Sequence, residues 1–112
     1  MKRYPLAGID NSLAKYAVFE TGVGRLLHVE CYNANAGDMY LQLFDSATLP
    51  DNGAVPLQQL RIPKTDTGAL DFGIQGLEFA NGIVAALSST ASVLTLASAN
   101  DGLFSGATDY DH

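Results

Sequence analysis

The chain predicts an all-β fold, a small antiparallel β-sandwich of about seven or eight strands led by an extended N-terminal arm. Three observations carry this expectation. Apolar residues take every second position in the run 26–45, with Leu27, Val29 and Cys31 before a polar turn and Met39, Leu41 and Leu43 after it. Successive side chains on a strand point to opposite faces, so this spacing buries one face and wets the other. Turn residues then punctuate the chain at intervals of about eight to twelve residues, the spacing of sandwiches and small barrels. Finally, no stretch holds a helical period for three turns, and Gly76, Asn81 and Gly82 break the one window, 77–87, that could be forced into a helix. Strand number alone leaves jelly-roll and immunoglobulin-like topologies both open. With 112 residues, two separate cores would each be too small, so one domain is expected, with 1–12 as the arm and 13–112 as the sandwich.

The elements follow in order. Residues 1–12 hold Pro5, Gly8, Asp10 and Asn11 and no strand or helix period, so they read as an extended arm, frayed or draped over a neighbouring subunit. The stretch 13–20 is strand-like through Tyr16, Val18 and Phe19, and Gly22 and Gly24 suit a tight reversal into a strand over 25–32. A turn over 33–37 leads to a strand over 38–45, and the loop 47–56 carries Pro50, Asp51, Asn52, Gly53 and Pro56. Residues 57–62 alternate again until Pro63, which cannot donate to a central ladder. A polar turn over 64–68 precedes short strands at 69–74 and 77–79. The continuous apolar run 83–87 suits a central strand, with 93–97 pairing back on it. A weak last strand is expected over 103–108, and a loose end at 109–112.

Composition excludes several functions. The net charge is −6 with six basic side chains, which disfavours nucleic acid and anionic membrane as partners. Neither a targeting segment nor a membrane span is expected, the longest apolar stretch being 82–87. Hydrophobic residues reach 47% while charged ones are only 16%, below the roughly 25% of ordinary soluble domains. Such a surface suits contact with a partner or a second copy, unless alanine merely inflates the apolar count.

Catalytic and metal constellations are sparse. Cys31 is the single cysteine, so an intrachain disulfide and a multi-thiolate zinc site are excluded, and its place in the apolar phase reads as a buried structural thiol. His28 stands three residues away, on the opposite strand face, and His112 has no partner at ligand spacing. Asn33, Asn35 and Asp38, or Asp51 and Asn52, could offer oxygens to calcium, but these are also the ordinary turn residues, and the turn reading outweighs the calcium one. The hydroxyl cluster Ser88, Ser89, Thr90 and Ser92 lacks a nucleophile elbow and reads as a polar turn. Glu30, Asp45 and Glu78 could pair for glycoside hydrolysis only by chance convergence. The glycine pairs Gly22/Gly24 and Gly73/Gly76 lack the lysine and helix of a phosphate cradle. No tryptophan offers a sugar platform, leaving Tyr16, Tyr32, Tyr40 and Tyr110 as candidate rings. No cofactor and no enzymatic activity are expected.

The segments 24–27, 29–35, 40–45, 72–73 and 82–90 resemble small virion proteins of tailed bacteriophages, namely capsid decoration (cement) proteins and small parts of head fibres and tails. The likeness runs from about Gly24 to Thr95 and rests on strand, turn and core signals, with no catalytic residue to carry over. It implies a structural protein made in the host cytoplasm and located in the virion. Its partners would be the major capsid protein or other virion proteins, and it would dock as a homo-oligomer, a trimer. The arm lies outside the resemblance, and its residues Lys2, Arg3, Tyr4, Pro5 and Leu6 are the expected partner contacts. The alternative is a head-fibre, collar or tail accessory module that holds host glycans through exposed tyrosines and loop residues such as Asp51 and Asn52.

Overall fold

A computed structural model describes residues 2–4 and 13–109 of the chain. Nine strands are present among them, and no helix: β1 (Lys2–Tyr4), β2 (Tyr16–Glu20), β3 (Gly24–Asn33), β4 (Met39–Asp45), β5 (Gln58–Ile62), β6 (Asp66–Asp71), β7 (Leu77–Phe79), β8 (Ile83–Ser88) and β9 (Gly102–Asp109). All pairings are antiparallel. One sheet has the order β1-β9-β3-β6, with β7 on the same edge of β3 as β6; the other has the order β2-β8-β4-β5. The chain is thus an all-β sandwich. With β7 set aside as an insertion, the two sheet orders are those of the jelly roll, two interlocked Greek keys, which decides between the two topologies left open above.

That topology corrects the local picture at both early turns. β2 pairs with β8 and β3 pairs with β6, β7 and β9, so the Gly22/Gly24 reversal carries the chain from one sheet to the other. The turn after Asn33 does the same between β3 and β4. Among the described strands, β4 and β5 are the one pair that are neighbours both in sequence and in a sheet.

Three further expectations shift. Within the expected arm, Lys2–Tyr4 lies antiparallel to β9, with Arg3 opposite Ala107, and so belongs to the sandwich as an edge strand; Met1 and 5–12 lie outside the described residues. The stretch 93–97 makes one bridge, Leu96 to Ser88, and no full strand. The last strand, expected weak, is an eight-residue strand between β1 and β3. Asp109 closes it, and the rest of the expected loose end lies outside the described residues.

The apolar phase is also displaced once. Val29 and Cys31 are buried as their spacing requires, but Leu26 reaches the core in place of Leu27. The ladder to β9 jumps from Leu26 opposite Thr108 to His28 opposite Ala107, so Leu27 is the extra residue of a β-bulge. It sits where the other edge of β3 changes partner from β7 to β6, and its carbonyl accepts the Phe72 N–H at 2.8 Å.

The core between the sheets contains Phe19, Leu26, Val29, Cys31, Met39, Leu41, Leu43, Ile62, Phe79, Ile83, Ala85, Leu87 and Phe104. β8 is buried along its entire length, because a second apolar cluster covers the opposite face of its sheet. Phe44, Val84 and Ala86 supply that face, and Leu94 from the loop 89–99 seals it with Leu49 and Ala54 from the loop 46–57. Two backbone bonds tie these loops together, Gly53 N–H to Leu94 O and Leu94 N–H to Ala54 O, each 2.8 Å. The alternation of β8 between Ile83, Ala85 and Leu87 on one side and Val84 and Ala86 on the other is what makes it read as a continuous apolar run.

Gly82 lets the loop 46–57 cross the start of β8. A Cβ there would stand 2.4 Å from Ser46 O and 2.6 Å from Ala47 Cα, both backbone atoms with little room to give. Gly82→Ala is therefore expected to lower unfolding stability by about 3 kcal/mol, the upper end of the usual overpacking cost, as read by chemical denaturation.

Candidate functional site

The oxygen-rich residues at the β3–β4 corner hold backbone. Asn33 is fully buried, and its Nδ2 donates to the carbonyls of Gly37, Ile62 and Pro63 at 3.0, 3.2 and 3.2 Å. Its Oδ1 accepts the Asn35 N–H at 2.9 Å. Asn35 in turn donates to Asp101 Oδ2 and accepts from the Gly37 N–H, both at 2.8 Å. Asp38 binds the Arg61 guanidinium and the Lys64 N–H, and the hydrogen bond from Arg61 holds its carboxyl below the usual carboxylate range. These oxygens serve the turn, and no group of three or more His, Cys, Asp or Glu among the described residues is placed to hold a metal. The second candidate pair is similar: Asn52 Oδ1 accepts the Leu96 N–H at 3.0 Å.

The hydroxyl cluster is likewise structural. Ser88, buried at the end of β8, donates to Thr90 O at 2.8 Å and accepts from the Thr90 and Thr95 N–H groups at 3.2 and 3.0 Å. Beside it, β4 carries Gln42, fully buried on the same covered face. Its Nε2 donates to the carbonyls of Thr90, Ala91 and Val93 at 2.7, 3.0 and 3.2 Å, so one amide gathers the whole turn. No motif in the sequence marks Gln42. The signal was a polar side chain flanked by Leu41 and Leu43 in a strand of otherwise apolar character. Gln42→Met keeps the volume but removes the donor. Ser88 and Thr90 hydroxyls still serve the Thr90 and Val93 carbonyls, leaving Ala91 O unserved. Gln42 Oε1 is buried without a hydrogen-bond partner, so its removal offsets part of this, and the expected loss is about 1 kcal/mol, with faster amide exchange confined to the turn 89–95.

Cys31 and His28 do not meet. The thiol faces the core and burial pushes it up to about 12, whereas His28 lies on the outer face with its Nε2 3.4 Å from Glu30 Oε1. A thiol so placed is a poor nucleophile. In the unfolded chain it ionises near its ordinary value of 9.0. Between that pH and about 12 the unfolded state has released a proton that the folded state keeps, so stability falls as pH rises through this window. The thiol should resist alkylation at pH 8 in the native protein, and Cys31→Ala should flatten the alkaline decline of the melting temperature.

The three acids considered for glycoside chemistry have separate engagements. Glu30 pairs with His28, Asp45 accepts the Ala80 and Asn81 N–H groups at 3.2 and 2.8 Å, and Glu78 stands opposite Arg25 in the β3–β7 register. The backbone bond from Asn81 holds the Asp45 carboxyl below its ordinary range, as suits an anchor. Gly73 and Gly76 both adopt φ of +74° in the link from β6 to β7, with no helix behind them.

What remains at the surface is shape and apolar area. A cleft of about 360 Å³ opens between the end of β4 and the loop 46–57, lined by Phe44, Pro50, Val55 and Leu57 among others. Val55 and Ile74 are 75% and 90% exposed, high values for branched aliphatic residues. Tyr16 is exposed, Tyr32 and Tyr40 are half-buried on separate strands, and Tyr110 lies outside the described residues. Of the expected partner contacts, Lys2, Arg3 and Tyr4 form β1, while Pro5 and Leu6 lie outside the described residues. Comparison with protein-family models, curated proteins and solved structures found no match.

Proposed function

We propose that this chain is a non-catalytic structural component of a tailed-phage virion, a capsid decoration protein that stabilises the head shell by docking as an oligomer. The observation that carries this reading is the fate of the candidate chemical groups. Asn33, Asp38, Gln42, Asp45 and Ser88 each hold a loop or corner of the sandwich, while Val55, Leu57 and Ile74 stand exposed. A domain arranged in this way offers contact surface in place of a reaction centre. The jelly roll is also the architecture of many viral capsid domains, though the same fold serves lectins, and this support is analogy. Docking only on the assembled shell would stabilise it by mass action, and many sites on one particle would let each contact be modest.

The fibre, collar or tail alternative with glycan binding has less to draw on. Asn52 already serves the Leu96 N–H, and Tyr16, Tyr32 and Tyr40 stand on three different strands, β2, β3 and β4.

Mixing the purified chain with heads of the parent phage, and sedimenting them, tests the proposal. Saturable co-sedimentation at a fixed number of copies per head is expected, with loss of most occupancy in the doubly substituted Val55→Asp, Ile74→Asp chain, whose changes lie at exposed positions, and retention of the β circular-dichroism spectrum. Absence of the full chain from heads and tails alike would overturn the virion reading. Full occupancy by the substituted chain would remove these exposed aliphatic residues from the contact.

A further inference from the structure

We infer that Asn81 is a site of spontaneous modification, where the folded chain closes a succinimide on Gly82 and ages to aspartate and isoaspartate. The chain has two Asn-Gly steps, 52–53 and 81–82. Glycine leaves its own nitrogen unhindered, which makes an asparagine before it prone to cyclise. Both asparagines are exposed, so access to water does not separate them. Their anchors do.

At the first step the reacting groups are drawn to different partners. Asn52 Oδ1 accepts the Leu96 N–H at 3.0 Å, while the Gly53 N–H donates to Leu94 O at 2.8 Å. Both partners belong to the loop 89–99 that covers β8, so cyclisation at Asn52 has to wait for two hydrogen bonds of the lid to open. At the second step the groups share one partner. The Asp45 carboxylate accepts the Asn81 N–H at 2.8 Å, and it also draws the Gly82 N–H and the Asn81 side-chain amide. Nucleophile and electrophile are thus held toward the same point by one exposed side chain.

The chemistry needs water and hydroxide alone. Hydroxide takes the Gly82 N–H proton, the nitrogen bonds to Asn81 Cγ, and the Cγ–Nδ2 bond breaks. Water protonates the departing nitrogen, so ammonia leaves and hydroxide is restored. A further water then opens the ring. Breaking the bond from Gly82 N to Cγ gives aspartate, and breaking the bond from Gly82 N to the Asn81 carbonyl carbon gives isoaspartate. Either product sets a second carboxylate beside Asp45. Isoaspartate also lengthens the main chain just before Gly82, where a Cβ would already stand 2.4 Å from Ser46 O.

This inference needs no partner and is independent of the virion reading. Incubation of the full chain at neutral pH, folded or in urea, tests it, with conversion located by tandem mass spectrometry of tryptic peptides. Asn52 and Asn81 fall on different peptides, because Arg61 and Lys64 lie between them. In the folded chain Asn81 is expected to convert about tenfold faster than Asn52 or more, and in urea the two rates should converge. Equal rates in the folded chain, earlier conversion of Asn52, an Asn81 that stays intact, or a preference for Asn81 that persists in urea would each overturn the inference.

Discussion

The structure depends on sealing β8 from water on both faces. Every residue from Ile83 to Ser88 is buried, although the sandwich core can cover only one side of the sheet. The other side needs a lid, and the loops 46–57 and 89–99 are that lid, joined to one another through Leu94. A loop carries backbone polar groups that a buried site must satisfy. That requirement explains why Gln42 and Ser88, two polar residues, sit on an apolar strand face: they supply donors where the lid's carbonyls turn inward. It also accounts for the unusual composition. A small domain with two apolar clusters needs many hydrophobic residues and has few surface positions left for charge.

Much of this was legible in the sequence wherever burial is one-sided and regular. Met39, Leu41 and Leu43 alternate into the core as their spacing demands, and the unbroken run 83–87 announced a central strand, the place β8 takes between β2 and β4. The failures have a common physical origin in partners distant along the chain. Glycine-rich and asparagine-rich turns license a reversal of direction, but they do not say whether the returning strand pairs with the one before it or crosses to the facing sheet. In a jelly roll it crosses, so the turns before β3 and β4 look like hairpin turns and are corners. Leu27 left the expected phase because a bulge is set by the change of partner along β3, a tertiary event with no local signature. β9 looked weak because Gly102 and Gly106 dilute its apolar content. A Cβ at Gly102 would meet Phe104 and Ala14, and one at Gly106 would meet His28 O and Phe19. Small residues there permit a central strand to be approached closely.

The candidate site was less legible, for a reason of chemistry. The groups that bind a calcium ion and the groups that close a turn are the same carboxylate and amide oxygens, and only their direction separates the two uses. At the β3–β4 corner the oxygens of Asn33 and Asn35 face backbone N–H groups, and Asp38 faces a guanidinium and one more N–H. Nothing in a one-dimensional pattern encodes that direction. Gln42 illustrates the converse. Its importance comes from three carbonyls nearly fifty residues away in the chain, and no short motif spans such a distance.

A domain that commits its polar side chains to its own corners is left with edges, clefts and exposed aliphatic residues as its means of interaction. Such contacts are short, and the acidic surface opposes the close approach of a second copy. A contact of this kind is weak for an isolated pair and becomes decisive only where geometry repeats it. Repetition changes the requirement placed on the fold: rigidity matters more than local affinity, because many weak contacts can act together only if every copy presents them in the same place. In the proposed assembly the tied loops over β8 and the amide-braced corner after Asn33 would serve that end, since they hold the segments that would otherwise be the most variable parts of the surface.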